Sequence, residues 1–464
     1  MSRDQMLSTE VLSSTSQLTQ WYRSGCKEPG KERVGTEHEK FLVRKSDLSP
    51  LPYEGPDGIG QVFAKLAESG DFEVSTDEGH IVALVEKAGP HAGASLTIEP
   101  GGQFELSGAP YLSMHDTEAE LADHTARLKP VLDELGVLMV GAGLNGVNTL
   151  DEVPWMPKSR YRIMAPYMER RGKLGRWMMK MTSTIQANFD YTSEADAADI
   201  LHTALRISPV VSAIFARSPL QAGKPTGFLS TRCHIWTDTD PDRCGFPEFM
   251  LRDKDFGFVD WARWTLKVPM YFVRRDHKYV DFTQQRTTFR QFMEQGFNGI
   301  EATLGDYELH VSTLFPEVRM KQYIEVRGAD MGPAANIVAL PALWKGILYD
   351  SGSRKAAREL LAHLSIAAHG RLFEDMIRRG VSAIDPTNKT PVHSYALELL
   401  RLARQGLDRQ VNTGLARPGE GRFLDPIEDS LTGADGHPSD AHRLLARFDE
   451  LDGDAMAWFA EQTL

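Results

Sequence analysis

Between Met178 and Tyr191 polar and apolar residues alternate with a period of two, and no other segment constrains the fold as tightly. Lys180, Thr182, Thr184, Gln186, Asn188 and Asp190 fall on one side; Met181, Ile185, Ala187 and Phe189, with Ser183, fall on the other. Successive side chains of a strand point to opposite faces, so the spacing predicts a strand with one polar face and one face that is mostly core. Buried polar groups without partners are costly. The polar face must therefore meet water or a ligand.

Further strands are expected at Val34–Val43, at Ile81–Lys87, and at Ser95–Glu99, which breaks at Pro100-Gly101-Gly102 and resumes over Gln103–Leu106. Strand patterns recur at Phe228–Trp236 and Lys321–Arg327. A helix is expected after Thr117, with Thr117 and Glu120 in capping-box spacing and Leu121, Leu128, Leu132 and Leu135 on one face. A second spans Glu194–Ser218, introduced by Ser193 and interrupted at Pro209. Beyond Trp344 leucine stripes predict helices, and Gly414–Gly436 reads as a mobile loop. Strands in one part and helices in another indicate an α+β fold.

Four constellations can carry chemistry. Glu37 and Glu39, two apart on a strand, share a face, and two like charges there repel unless a cation neutralises them; a solvent-facing charged strand accounts for them too. Glu99 enters the Gly-Gly turn, and Gln103 and Glu105 leave it on a shared face, suiting metal or phosphate, although the glycines also serve a plain hairpin. Arg232, His234 and Trp236 share a face if their segment is a strand. That patch suits a carboxylate through the forked guanidinium, with His234 read as structural. Glu325 and Arg327 place opposite charges on one face, which an internal ion pair explains equally well. Together these residues indicate an enzyme using metal and phosphate; no Gly-x-x-x-x-Gly-Lys-Ser/Thr sequence is present, so a P-loop is not the nucleotide site.

Composition removes other classes. The 464 residues carry 52 Lys+Arg against 64 Asp+Glu, a net charge of −12, which argues against a nucleic-acid partner. No run approaches about 18 consecutive apolar residues, so no membrane span is expected. Three cysteines (Cys26, Cys233, Cys244) without CxxC spacing argue against a disulfide framework or a structural zinc. Met1–Gln20 has no apolar core of a signal peptide, and a reducing cytoplasm is the expected compartment.

Gly35-Thr36-Glu37-His38-Glu39-Lys40-Phe41 and the run from Glu99 to Pro110 resemble signatures of the plant and proteobacterial type of glutamate–cysteine ligase. The resemblance continues in order through Pro157–Tyr161, Ile235–Asp240, Val268–Phe272, Phe315–Arg319 and Glu325–Asp330, covering roughly residues 20 to 350. It implies a glutamine-synthetase-like antiparallel sheet forming a funnel, packed by helices. Residues 1–350 would form the catalytic core and 351–464 a mainly helical part of the same domain, active as a monomer or homodimer. The implied reaction joins the γ-carboxylate of L-glutamate to the amine of L-cysteine through γ-glutamyl phosphate, with ATP and Mg2+ (or Mn2+), the first step of glutathione biosynthesis. The resemblance also implies Glu37, Glu39, Glu99 and Glu105 as metal ligands and Gln103 and Gln186 on the cofactor side. Arg160 and Arg232 would grip substrate carboxylates and, with Glu325 and Arg327, form the catalytic set. Thr182, Thr184, Trp236 and Tyr271 would line the substrate pocket. One departure stands out: Met181 occupies the place of a family arginine, which leaves open a γ-glutamyl ligase with another amine acceptor. A guanidino kinase or a non-catalytic sensor of similar fold is the remaining alternative. The paired cysteines of plant members have no counterpart, so redox control is not expected.

Overall fold

The computed structural model describes residues 8–252, 255–433 and 436–464. Nine strands build one antiparallel sheet: β1 (Val34–Arg44), β2 (Phe72–Asp77), β3 (His80–Glu86), β4 (Ser95–Ile98), β5 (Gln103–Ser107), β6 (Val137–Val140), β7 (Thr184–Phe189), β8 (Val318–Met320) and β9 (Ile324–Asp330). Their order is β8-β9-β7-β1-β5-β4-β3-β2, with β6 paired to the far end of β1. The expected α+β architecture with a large antiparallel sheet is what the chain adopts.

The period-two run resolves into two elements. Helix α2 (Gly175–Met181) carries Lys180 and Met181, and the strand begins only at Thr184. From there the alternation holds: Ile185, Ala187 and Phe189 enter the main core against helix α5 (Ala334–Leu348), and helix α3 (Glu194–Ile214) covers β9 in the same core. Lys180 leaves the polar face and donates to the Leu150 carbonyl at 2.6 Å. Met181 is fully buried in a second core. The β4–β5 turn fixes this junction. A Cβ on Gly101 would lie 2.1 Å from the Lys180 carbonyl oxygen, and Gly102 has φ +85°, so both positions require glycine.

Several expectations change in three dimensions. Helix α1 (Met114–Leu135) starts before Thr117, because Ser113 caps it by accepting from His115 N–H. Glu120 instead points inward and accepts from the Ala109 N–H and the Tyr111 hydroxyl. Pro209 does not interrupt α3; that helix is buried on nearly all sides, and packing outweighs the one lost backbone bond. It is long and apolar enough to cross a membrane, but 94% of the relevant window is buried inside the protein. Residues 228–236 are not a strand: helix α4 (Thr231–Thr237) forms there, capped by Ser230. Lys321 lies in the turn between β8 and β9. Within 414–436, Glu420–Leu424 and Asp425–Thr432 are helical rather than loose. Glu420 anchors them through a buried 2.6 Å bond from Lys345 on α5, and helix α6 (Val392–Thr413) packs alongside. Residues 1–7, part of the segment read for a targeting signal, lie outside the described residues, as do 434 and 435.

Candidate active site

The polar face of β1, β5, β7 and β9 forms the floor of a cavity. Register brings the acidic residues together. Glu39 faces Glu105 directly, Glu37 faces Ser107 on one side and Gln186 on the other, and Glu325 lies opposite Asn188. Glu99 reaches the same cavity from the β4–β5 turn. All four carboxylates expected at the metal therefore border one space.

Their charges are unequally balanced. Burial, then Glu105 and Glu99, push the Glu39 carboxyl well above its usual range, and burial, then Glu325 and Glu105, raise Glu37. Asn188 donates to Glu37 at 2.8 Å and Ser107 to Glu105 at 2.6 Å. Burial would raise Glu105 as well, and the Ser107 hydroxyl, Lys158 and Arg160 oppose that rise. Glu325 differs in kind. Despite burial, Arg319, Lys321 and Arg327 hold its carboxyl far below the usual range. Arg319 grips it with two nitrogens, Lys321 lies at 3.2 Å and Arg327 also donates to it. A register shift between Val326 and Ala329 bulges β9 at Arg327 and Gly328, and bulges re-aim side chains. Arg327 thereby also reaches the Gln186 amide oxygen at 2.6 Å. The Glu325–Arg327 face is thus an ion-pair cluster that still opens onto the cavity.

The helical state of α4 corrects the shared face of Arg232, His234 and Trp236. Residues four apart on a helix share a face, so Arg232 and Trp236 line the cavity while His234 stacks on Phe228, with centroids 4.1 Å apart. The Arg232 guanidinium donates to the Arg327 carbonyl at 2.9 Å. Trp236 packs on Phe315, and Arg327 lies over both rings. Arg160 borders the opposite wall, 3.8 Å from Glu99. Among the described residues, four polar atoms of this lining are buried without a hydrogen-bond partner: Arg160 Nε, Arg232 Nε, Trp236 Nε1 and Glu99 Oε1. Buried groups are nearly always satisfied, so unpartnered donors and an acceptor around one cavity mark a place where a polar ligand completes the bonding.

Other expected residues have other duties. Tyr271 does not line the cavity: it is buried, its ring lies 3.7 Å from the Arg243 guanidinium, and its hydroxyl donates to Asp240. Gln103 is at the cavity, but its amide is occupied, donating to the Met179 and Thr182 carbonyls and accepting from Gly101 N–H. Thr182 donates to the Met178 carbonyl and Thr184 to the Ala329 carbonyl, so both shape the wall. The buried Met181 side chain is no part of the lining. Sequence reasoning gave no role to Arg319, Lys321, Phe315, Met178 or Met179, all of which line the cavity. Phe315 and Arg319 sat in a quoted motif, but their inward aim depends on the β8–β9 turn.

Among the described residues, no three acidic, imidazole or thiol groups already converge on one point at metal-ligand reach. The donor chemistry still fits a hard divalent cation: Glu37, Glu39 and Glu105 crowd their oxygens together, and among the described residues Glu99 Oε1 accepts no hydrogen bond.

A family model described as glutamate–cysteine ligase family 2 matches residues 33–447. The chain belongs to the glutamate–cysteine ligase family. It is 41% identical over 410 residues to a chloroplastic glutamate–cysteine ligase of Medicago truncatula, covering 88% of this chain and 78% of that one. It is also 41% identical over 408 residues to the Arabidopsis thaliana chloroplastic enzyme, covering 87% and 76%. Among solved structures, the glutamate–cysteine ligase of Francisella tularensis in complex with AMP aligns with a TM-score of 0.52 at 12% identity, covering 93% of this chain and 88% of that one. A bifunctional glutathione synthetase from Pasteurella multocida aligns at 0.53 and 11% identity, covering 96% and 53%. These two likenesses concern the fold. The chain is accordingly a ligase of the glutamate–cysteine ligase family. The expected cytoplasmic location is overturned by the relatives, which are chloroplastic enzymes.

Proposed function

We propose that the cavity binds ATP, a divalent cation and L-glutamate, and joins the glutamate γ-carboxylate to the amine of L-cysteine, giving γ-glutamylcysteine, the first intermediate of glutathione synthesis. The single observation carrying this reading is the division of charge across one floor: crowded carboxylates at Glu37, Glu39 and Glu105 beside the Arg319–Lys321–Arg327 cluster. The carboxylates would hold Mg2+ or Mn2+, which when bound neutralises phosphate charge. A glutamate γ-carboxylate oxygen attacks the terminal phosphorus of ATP and ADP leaves. The cysteine nitrogen then attacks the acyl carbon, the carbon–oxygen bond to phosphate breaks, and the amine proton passes to solvent or phosphate. Arg327 and Lys321 border the transferred phosphoryl group, Gln186 orients Arg327, and Arg160 and Arg232 receive substrate carboxylates in the forked geometry suited to them. Trp236 and Phe315 give the amino-acid side chains an apolar wall. Residues 351–464 act as a helical buttress of the same domain, tied to α5 through Lys345 and Glu420.

The test is incubation with ATP, Mg2+ and glutamate against a panel of amines, read by mass spectrometry. A γ-glutamylcysteine product requiring all three is expected. Turnover with another amine and none with cysteine overturns the acceptor. A phosphorylated guanidine, or ligand binding with no product, overturns the reaction class.

A further inference from the structure

The Glu325–Asp330 segment ends in a carboxylate that the reaction above does not use. Asp330 is 1% exposed and stands at the end of β9, behind α4. Its Oδ2 accepts from the Ser218 hydroxyl at 2.7 Å and from the Arg217 N–H at 2.8 Å, and its Oδ1 accepts from the Ser230 hydroxyl at 2.9 Å. A hydroxyl has one proton to donate, so both serines present lone pairs elsewhere. Those lone pairs meet α4: Arg232 N–H donates to Ser218 Oγ at 3.0 Å and Cys233 N–H to Ser230 Oγ at 3.1 Å. Asp330 also lies 3.9 Å from the Arg232 guanidinium. One buried carboxylate thus orients two hydroxyls, the first turn of α4, and the charge of the arginine that α4 aims into the cavity.

We propose that Asp330 is a positioning residue for substrate glutamate, acting through Ser218 and Ser230 to set the direction of Arg232. The inference rests on Arg232 gripping a glutamate carboxylate. Trp236, four residues on, shares the same face and turns with it. The phosphate side is carried by Lys321 and the Arg327 side chain, both gathered on Glu325 toward the other end of β9, so loss of the relay should fall mainly on glutamate.

The test compares wild type with Asp330→Asn, Ser230→Ala and the Ser218→Ala/Ser230→Ala pair. The measurements are KM for glutamate, ATP and cysteine, kcat, and glutamate affinity by calorimetry. In Asp330→Asn the glutamate KM should rise about tenfold, as loss of a charge-assisted hydrogen bond implies, with kcat and the ATP KM little changed. The serine pair should reproduce that effect, and Ser230→Ala a smaller share of it. Equal change in all three KM values, or a lower melting temperature with unchanged kinetics, overturns the proposal. If Asp330→Asn does not fold, an unchanged glutamate KM in Ser230→Ala overturns it. Failure of the proposed function itself is distinguishable, because wild type would then form no γ-glutamyl product.

Discussion

Glu39 on β1 and Glu105 on β5 are direct cross-strand partners turned into one cavity, and among the described residues neither has a Lys or Arg nitrogen within 4.0 Å. Like charges facing across a sheet destabilise it. Glu39→Gln should therefore raise the melting temperature in chelator while lowering turnover by about 100-fold and raising the Mg2+ requirement, since a ligand for the metal is lost. Unchanged Mg2+ dependence removes Glu39 from the metal site.

The sheet and its charged face were legible because strand alternation depends only on local spacing. Glu37, Glu39, Gln103, Glu105, Gln186 and Glu325 all line the cavity as the pattern indicated. The Arg232 segment misled for a physical reason. Arg-x-His-x-Trp satisfies a period of two, yet Arg232 and Trp236 equally satisfy the four-residue spacing of a helix, and only the Ser230 cap decides between them. Tyr271 misled because its motif says nothing of direction: its ring faces Arg243, a buried cation whose placement comes from contacts with Asp240 and with the Pro269 carbonyl.

Arg232→Lys keeps the charge but loses the planar fork and the bond to the Arg327 carbonyl. The glutamate KM should rise by about tenfold or more, the cost of a lost charge-assisted contact, with the ATP KM little affected. Steady-state kinetics at fixed saturating ATP measures this. An unchanged glutamate KM reassigns Arg232 to structure.

Tyr271→Phe tests the corrected placement of that ring. It removes only a 3.3 Å contact to Asp240 and leaves the stack on Arg243. Stability should fall by about 1 kcal/mol, typical of one hydrogen bond, with the glutamate KM unchanged. A glutamate KM raised in step with Arg232→Lys would return Tyr271 to the substrate pocket.

Redox treatment should leave activity unaltered. Cys26, Cys233 and Cys244 are all unpaired. Burial pushes the Cys233 thiol far up and the Cys244 thiol up to about 12, so both stay protonated and react slowly with oxidants. Assays after mild oxidant and after dithiol reductant, with non-reducing mass analysis, should agree. Reversible change in activity together with a Cys233–Cys244 bridge contradicts this.

Acid sensitivity of the fold should come partly from two buried histidines. Burial lowers His310 to about 3 and His369 to about 4, and each ring is bonded to a backbone carbonyl, of Thr265 and Arg206 respectively. The folded pKa values lie below the unfolded value of about 6.5, so the unfolded chain binds more protons on the acid side. Their contribution is complete above about pH 6.5 and is lost as pH falls toward the folded values, by about 2 kcal/mol for the pair between pH 6 and pH 5. Glu120 works in the opposite direction. Burial raises it to about 7, so its contribution grows as pH falls from there toward the ordinary carboxylate range and offsets part of the loss. Urea unfolding of wild type and His369→Gln at pH 7 and pH 5 isolates one histidine, because every other group titrates alike in both proteins. The variant should lose about 2 kcal/mol less than wild type over that interval. Equal losses in the two proteins would mean that His369 titrates the same way folded and unfolded, and that the acid sensitivity originates elsewhere.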